Sequence, residues 1–441
     1  LSIQYLDEPM DSFKDVLGKK YKNFGQLPLD EASIYASHDA LQTFKLKIVL
    51  DKKFGDEEKL RSVFDDIEMP MSQLLFRIER VGIELDPDIL KKLSISVNRS
   101  LSVIEKKIDG AIPQKDRSGN DGINLNSPKQ LAQLLFDDLG LPVVRKAGRD
   151  RQRSTDQEVL HELSKVHPVP GLILKYRELF KLKSTYLEPL PLAVNPNTGR
   201  IHTSYNQVGV ATGRLASSEP NLQNIPSSGE VGPKVRSAFV AKSGSKFISA
   251  DYSQIELRVL AHMTKDKNLT EAFLEGRDVH AQTAAQLFDE EVANVSVAQR
   301  QIGKKINFSI IYGLTPYGLA RELDIKPGEA KEYIEKYFDK YPAVAKWIEE
   351  TVDVAKDRGY TETLMGRRRY IAGLKERNKN LYEAARRVAI NAPVQGSAAE
   401  IVKIAMLNVN YEFRKKKLDA EIVLQIHDEI VVEASDSCVS M

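Results

Sequence analysis

The sequence predicts an α+β fold in which a helical first part precedes a sheet-based core that carries a helical insertion. Three observations predict it. Helical periodicity runs through most of the first part. Pro189, Pro191, Pro196 and Gly199 then break the pattern and mark a boundary near residue 200. Beyond it, β-rich runs lie at both ends of the remainder, with helical sequence between them, as a sheet with an inserted helical subdomain would require.

The elements follow in order. From 30 to 50, Ile34, Leu41, Phe44 and Ile48 are spaced for one helix face. A second helix, 72–80, leads through Gly82 and Asp86-Pro87 into a long amphipathic run over 89–108. Ser127 followed by Pro128 is an N-cap with proline at the first helical position, opening the helix of Leu131, Leu134 and Leu135. Helices over 156–163 and 172–187 complete this part. After the boundary, 201–208 and 246–251 are expected strands and 255–263 a helix. A long helical region is expected from about 278 to 387. Two β-rich runs, 421–426 and 429–433, then flank a polar turn.

Composition narrows the class. Hydrophobic residues are 42% and charged residues 29%, as in an ordinary folded chain, and 441 residues suit about three domains. The apolar runs are short and interrupted by charge, so no membrane span is expected. The single cysteine, Cys438, excludes an internal disulfide and a cysteine-rich zinc site, which makes an intracellular setting the default. Net charge is +2, from 64 basic against 62 acidic residues, so placement matters more than balance. Arg145, Lys146, Arg149, Arg151 and Arg153 form one basic loop, and Arg367, Arg368, Arg369, Arg386 and Arg387 a second cluster. Each alone suits a solvated face; the two around an acidic centre favour a polyanion partner.

Three constellations carry chemistry. In 246–258, a strand ends at Asp251 and the following helix puts Glu256 on its early turns. Asp251 then either caps that helix or presents a carboxylate at the sheet edge. In Gln425-Ile-His-Asp-Glu429, Asp428 and Glu429 project from a hairpin tip, either as a solvated acidic turn or as a pair sharing a cation. If their strands are neighbours, Asp251 and Asp428 make an all-oxygen site suited to magnesium, the geometry that two-metal phosphoryl transfer needs. On the third, Arg300, Lys304, Phe308 and Tyr312 recur every four residues along one helix. The rings suit core packing or a base and sugar. The cations on the same stripe favour a nucleotide lying along the helix.

These motifs resemble those of family A DNA polymerases, in particular the large fragment of bacterial DNA polymerase I. They are Asp251-Tyr-Ser-Gln-Ile-Glu256, the helix from Arg300 to Gly313, and His427-Asp428-Glu429, in that order. Thr212-Gly-Arg-Leu215, Pro220-Asn-Leu-Gln-Asn-Ile-Pro226 and Asn391-Ala-Pro-Val-Gln-Gly396 support them, and the resemblance covers essentially the whole chain. It implies a right-hand polymerase: the C-terminal remnant of a 3′–5′ exonuclease over 1–66, thumb 67–200, palm 201–260 and 392–441, and fingers 261–391. It implies DNA-directed addition of dNTPs to a primer 3′ end with two Mg2+ ions, in replication and repair. A monomer in the bacterial cytoplasm, associated with the nucleoid and not with membrane, is expected.

The resemblance also implies roles. Asp251 and Asp428 would hold the metals, with Glu429 an auxiliary acid. Arg300, Lys304 and His280 would bind the triphosphate, Lys304 also protonating departing pyrophosphate. Phe308 would pack beside the sugar, Tyr312 lie near the templating base, and Glu256 exclude a ribose 2′-hydroxyl. Arg214, Gln223, Asn224, Asn391, Gln395 and His427 would contact primer–template, where minor-groove acceptors occur in every base pair. The loop of Arg145, Lys146, Arg149 and Arg151 would be the thumb tip on DNA phosphates. Tyr35 and Asp39, one helical turn apart, resemble the last exonuclease motif. Its other carboxylates fall before Leu1, so no proofreading is expected from this chain alone. The family also continues for tens of residues past the His-Asp-Glu turn, so a truncated palm is expected. A single-subunit RNA polymerase is the nearest alternative, and Glu256 argues against it.

Overall fold

The computed structural model describes residues 1–55, 57–112, 123–144, 146–147, 152–226, 229–313 and 315–439. The chain divides into two compact units: Leu1–Met71 with Gln254–Ile401, and Ser72–Ser253 with Val402–Met441.

The unit holding 72–253 and 402–441 combines helices with small sheets around one apolar core. Its longest helix, Pro87–Ala111, starts where the Asp86 carboxylate accepts from the amides of Asp88 and Ile89. Proline at the first turn costs nothing there, because that amide has no helical partner. Leu90, Leu93, Val97, Leu101, Ile104 and Ile108 recur every three or four residues and bury one stripe. That stripe packs on the helix Pro168–Leu182, whose Val169, Ile173, Tyr176 and Leu179 are buried in the same core. Ser127 caps Pro128–Gln133 as its sequence predicts.

The sheet that matters most is three-stranded and antiparallel, in the order Ala420–Ile426, Glu429–Ser435, Ser245–Asp251. The central strand pairs Glu429 with Asp251 at one end and Ser435 with Ser245 at the other. The two separate β-rich runs of the sequence are therefore direct neighbours. The strand expected over 201–208 instead divides. Arg200–Ile201 pairs with Ile83–Leu85, while Ser204–Asn206 pairs with Ala216–Ser218. The switch occurs where side chains compete for the backbone. His202 Nδ1 lies 2.8 Å from the Glu79 carbonyl, and the Thr203 hydroxyl donates to the Pro220 carbonyl at 2.8 Å.

The other unit is helical. Within it, Val279–Phe288 and Val297–Ile311 approach closely at Gly303, where a Cβ would lie 2.3 Å from the His280 carbonyl oxygen. Pro316–Leu323, Pro327–Lys340 and Pro342–Arg358 follow. The expected unbroken helical region is corrected here: the strands Tyr360–Glu362 and Arg368–Tyr370 form a hairpin. Gly359 ends the preceding helix at φ 81°, and Gly366 at φ 101° serves the turn, both in the region L-side chains avoid. The helix Lys379–Lys415 then runs unbroken through the expected palm–fingers boundary at 391/392. Pro393 removes one amide from it, and the Ser397 hydroxyl donates to the Pro393 carbonyl at 2.7 Å.

The helix Leu29–Phe54 leaves Ile34, Leu41, Phe44 and Ile48 exposed, so the predicted face exists but is not buried. Arg367 is ion-paired with Glu68 and Glu400, and Arg368 with Glu57 and Glu362. These two guanidiniums join parts of their own unit. The expectation that they face a polyanion is corrected accordingly.

Candidate active site

The acidic candidates gather at one end of the three-stranded sheet. Asp251 ends its strand opposite Glu429, and the Tyr252 amide donates to the Asp428 carbonyl at 3.5 Å. A two-residue loop, His427-Asp428, joins the strands on either side. His427 is held at φ 55°, a left-handed conformation uncommon in non-glycine residues. The support beneath it is specific. The Tyr205 hydroxyl accepts from the Gln425 amide at 2.9 Å and donates to the Gln425 carbonyl at 3.3 Å. The Gln223 amide donates to Gln425 Oε1 at 2.9 Å, and Gln425 Nε2 donates to the His427 carbonyl. A turn fixed from below in this way keeps an unfavourable backbone angle.

The carboxylates divide by their partners. Glu429 accepts from the Ser249 hydroxyl at 2.5 Å and lies 3.6 Å from Arg236. Among the described residues, no cation pairs with Asp251 or Asp428. Desolvation, then the charges of Asp428 and Glu429, hold the Asp251 carboxyl above its ordinary pKa. Like charges kept together without a protein cation suit a shared external one. Among the described residues no group of three His, Cys, Asp or Glu forms a closed metal cage. Two carboxylates with open positions fit magnesium, which keeps waters and takes substrate oxygens as further ligands.

The second constellation belongs to the helical unit. Ser296 begins the helix Val297–Ile311 with a capping box completed by Gln299. Gly303, Ile306, Asn307, Ile310 and Ile311 form its buried side. Arg300, Lys304, Phe308 and Tyr312 lie off that side, exposed or half-buried, so the stripe is not simply core packing. Phe308 and Tyr312 are stacked with centroids 6.4 Å apart. Arg300 Nε donates to Asp278 Oδ2 at 2.6 Å. Burial works against the Asp278 charge, yet this bond and the amides of Ala281 and His280 hold its carboxyl below the ordinary range. Glu256 is 5% exposed and accepts from the Tyr312 hydroxyl at 3.2 Å. His280, 2% exposed, is pushed down to about 4 by burial and then by Arg300 and Lys304, against Asp278, and is neutral.

The remaining candidates are distributed. Asn391 and Gln395 lie on the helix Lys379–Lys415, and among the described residues the buried Asn391 Oδ1 has no hydrogen-bond partner. Arg214 precedes the strand Ala216–Ser218. Asn224 is exposed, with its carbonyl accepting from the Tyr186 hydroxyl. Gln223 is buried and donates to Gln425, which makes it a support of the turn. Arg145, Arg149 and Arg151 lie outside the described residues. For Lys146 only the backbone is described, in a strand Lys146–Ala147 paired with Gln152–Arg153. Tyr35 and Asp39 line a small cavity of their unit with Asp11, Glu31 and His38. Tyr205, Gln425, Ser249 and Asn307 escaped the sequence reading. The one signal for Asn307 was a polar residue on the apolar side of a helix, four positions after a glycine.

The family model for DNA polymerase family A matches residues 87–441. A thermostable DNA polymerase I of Thermus thermophilus is 43% identical over 98% of this chain and 50% of its own length. DNA polymerase I of Pseudomonas aeruginosa is 43% identical over 100% of the chain and 48% of its own length. The chain thus spans about half the length of these relatives. Among solved structures, the POL domain of Pol1 from M. smegmatis, in complex with DNA primer-template and dNTP, superposes with a TM-score of 0.87. It is 35% identical, over 99% of this chain and 72% of that one.

Proposed function

We propose, because the chain belongs to DNA polymerase family A, that it extends a DNA primer by template-directed addition of deoxynucleotides, in replication and repair. The observation that carries this reading is the register Asp251 opposite Glu429, which brings Asp251 beside Asp428 with no cation paired to either carboxylate among the described residues. The M. smegmatis relative bears primer-template and dNTP, which supports the same ligands here. Among the described residues no helix is long and apolar enough to cross a membrane. We place the protein in the bacterial cytoplasm at the nucleoid, acting as a monomer.

Each side chain then has a task. Asp251 and Asp428 hold two Mg2+ ions, which when bound supply charge for the attacking and departing oxygens. Glu429, restrained by Ser249 and Arg236, shapes the electrostatics beside them. Arg300, oriented by Asp278, and Lys304 bind the triphosphate, and the Lys304 ammonium is the proton donor to pyrophosphate. Phe308 packs on the sugar, and Tyr312, stacked on it, borders the templating base. Glu256, fixed by Tyr312, crowds a 2′-hydroxyl. Arg214, Asn224, Asn391, Gln395 and His427 contact primer–template. The loop of Arg145, Lys146, Arg149 and Arg151 grips its phosphates. Tyr35 and Asp39 are the remnant of an exonuclease motif.

Primer extension on a defined template with Mg2+ tests the assignment. The expected product is a ladder from dNTPs set by the template sequence. Preference for rNTPs under the same conditions overturns it in favour of an RNA polymerase.

A further inference from the structure

Between the helices Val279–Phe288 and Val297–Ile311 runs a short chain of buried polar groups that ends on His280. The Thr283 hydroxyl donates to Asn307 Oδ1 at 3.1 Å, and Asn307 Nδ2 lies 3.0 Å from His280 Nδ1. Thr283 is 1% exposed and Asn307 fully buried, so neither bond is exchanged with water. The approach of the helices at Gly303 holds the two sides in register. Asp278 fixes the start of the first helix by accepting from the His280 and Ala281 amides, each at 3.0 Å.

We infer that Asn307 and Thr283 are positioning residues that set the tautomer of His280, leaving its single ring proton on Nε2 for an anionic oxygen of the nucleotide. With Oδ1 occupied by the Thr283 hydroxyl, the Asn307 amide faces the ring with a nitrogen that can only donate. Nδ1 must then offer its lone pair, and a neutral imidazole carries its proton on the other nitrogen. Burial, then Arg300 and Lys304 on the facing helix, disfavour a charged ring, against the opposing charge of Asp278. The result is an uncharged donor beside two cations. It adds direction to anion binding without adding further positive charge. Phe308, its centroid 5.9 Å from the His280 ring, closes one side. This inference rests on the nucleotide-binding reading of the Arg300–Tyr312 stripe.

Histidine 15N chemical shifts in the whole protein, with the His280 signals identified by their loss in His280→Gln, measure the tautomer directly. The expected spectrum has a pyridine-like Nδ1 and a pyrrole-like Nε2. A pyrrole-like Nδ1 overturns the inference, because it means that the Asn307 amide is reversed. Kinetics add a second arm. Asn307→Asp presents an acceptor to Nδ1, and should move the proton there or charge the ring. The KM for dNTP should rise about tenfold or more, with kcat changed less. Thr283→Ser should keep both the spectrum and KM, while Thr283→Val should shift both. Unchanged KM in Asn307→Asp overturns the role. Unchanged KM in His280→Ala instead overturns the nucleotide-stripe reading, whatever the tautomer.

Discussion

The acidic end of the three-stranded sheet and the cation-bearing helix solve opposite electrostatic problems. At the sheet end, Asp251 and Asp428 are left without a protein counter-charge among the described residues, and desolvation, then repulsion from Asp428 and Glu429, raises the Asp251 carboxyl. Along the helix, functional side chains are partnered from within their own unit. Asp278 orients Arg300, Tyr312 orients Glu256, and Asn307 orients His280. The difference teaches where a ligand must bring charge and where it must find shape. An unpaired acidic pair gains most from a cation, whereas a pre-paired stripe limits the freedom lost when the proposed triphosphate binds.

The sharpest test of that contrast is Asp251→Asn or Asp428→Asn. Either should reduce single-turnover extension about a thousandfold or more, roughly 4 kcal/mol of transition-state stabilisation, while primer–template affinity holds. Near-normal extension by either variant removes the metal assignment. Asp251 also predicts a stability effect of opposite sign. A carboxyl whose folded pKa is raised binds its proton more tightly in the folded state. Stability therefore falls as pH rises from the ordinary carboxylate value through the raised one. At neutral pH without metal the chain bears that penalty, and Asp251→Asn removes it. Tm in EDTA should rise in the variant, and Mg2+ should raise Tm more in the unsubstituted chain.

Next in size is the sugar test. Glu256→Ala should lower the ratio of kcat/KM for dCTP over rCTP by roughly 10–200-fold, the range for a pocket that excludes one small group. Tyr312→Phe keeps the ring but removes its hydroxyl from Glu256, and should produce part of that change. If the ratio is unmoved in Glu256→Ala, the pre-paired side of the comparison loses its functional meaning.

Much of this was legible in the sequence, and for identifiable reasons. Asp251, Asp428 and the Arg300–Tyr312 stripe are surface-bearing charges and rings in regular spacing, which strand and helix periodicity expose. The register that sets Asp251 against Glu429 is a long-range pairing, and no local pattern encodes it. The hairpin Tyr360–Glu362 with Arg368–Tyr370 was hidden because each strand is only three residues long and flanked by strong helices. The burial of Gln223 was hidden because a glutamine in a polar motif looks solvent-facing, whereas Gln425 draws it inward. The exposure of Ile34, Leu41, Phe44 and Ile48 was equally out of reach: periodicity locates an apolar face but not what covers it.

A smaller effect should come from the support beneath the turn. Tyr205→Phe removes a buried hydroxyl that both accepts from and donates to the Gln425 backbone. The expected loss is about 1–2 kcal/mol, measured as a lower urea midpoint with unchanged m-value. Extension should fall only modestly if the Gln223–Gln425–His427 bonds still hold Asp428 in place. A loss as large as that of Asp428→Asn, with stability intact, would mean that Tyr205 acts on the chemistry itself.

The smallest predicted effect decides what Glu429 does. Its carboxylate accepts from Ser249 and faces Arg236, unlike its two neighbours. A group already engaged in this way is restrained from joining a metal shell, which makes it an auxiliary charge. Ser249→Ala deletes one exposed hydrogen bond and leaves Arg236 in position, so the loss should be no more than about 1 kcal/mol. The extension rate should change by a few-fold at most, and the Mg2+ concentration for half-maximal rate should stay put. A third metal ligand behaves differently. Releasing it from Ser249 would tighten Mg2+ binding, and the half-maximal concentration would drop while the rate at saturation held. That outcome would move Glu429 from the paired class to the unpaired one, and the acidic corner would then comprise three open carboxylates instead of two.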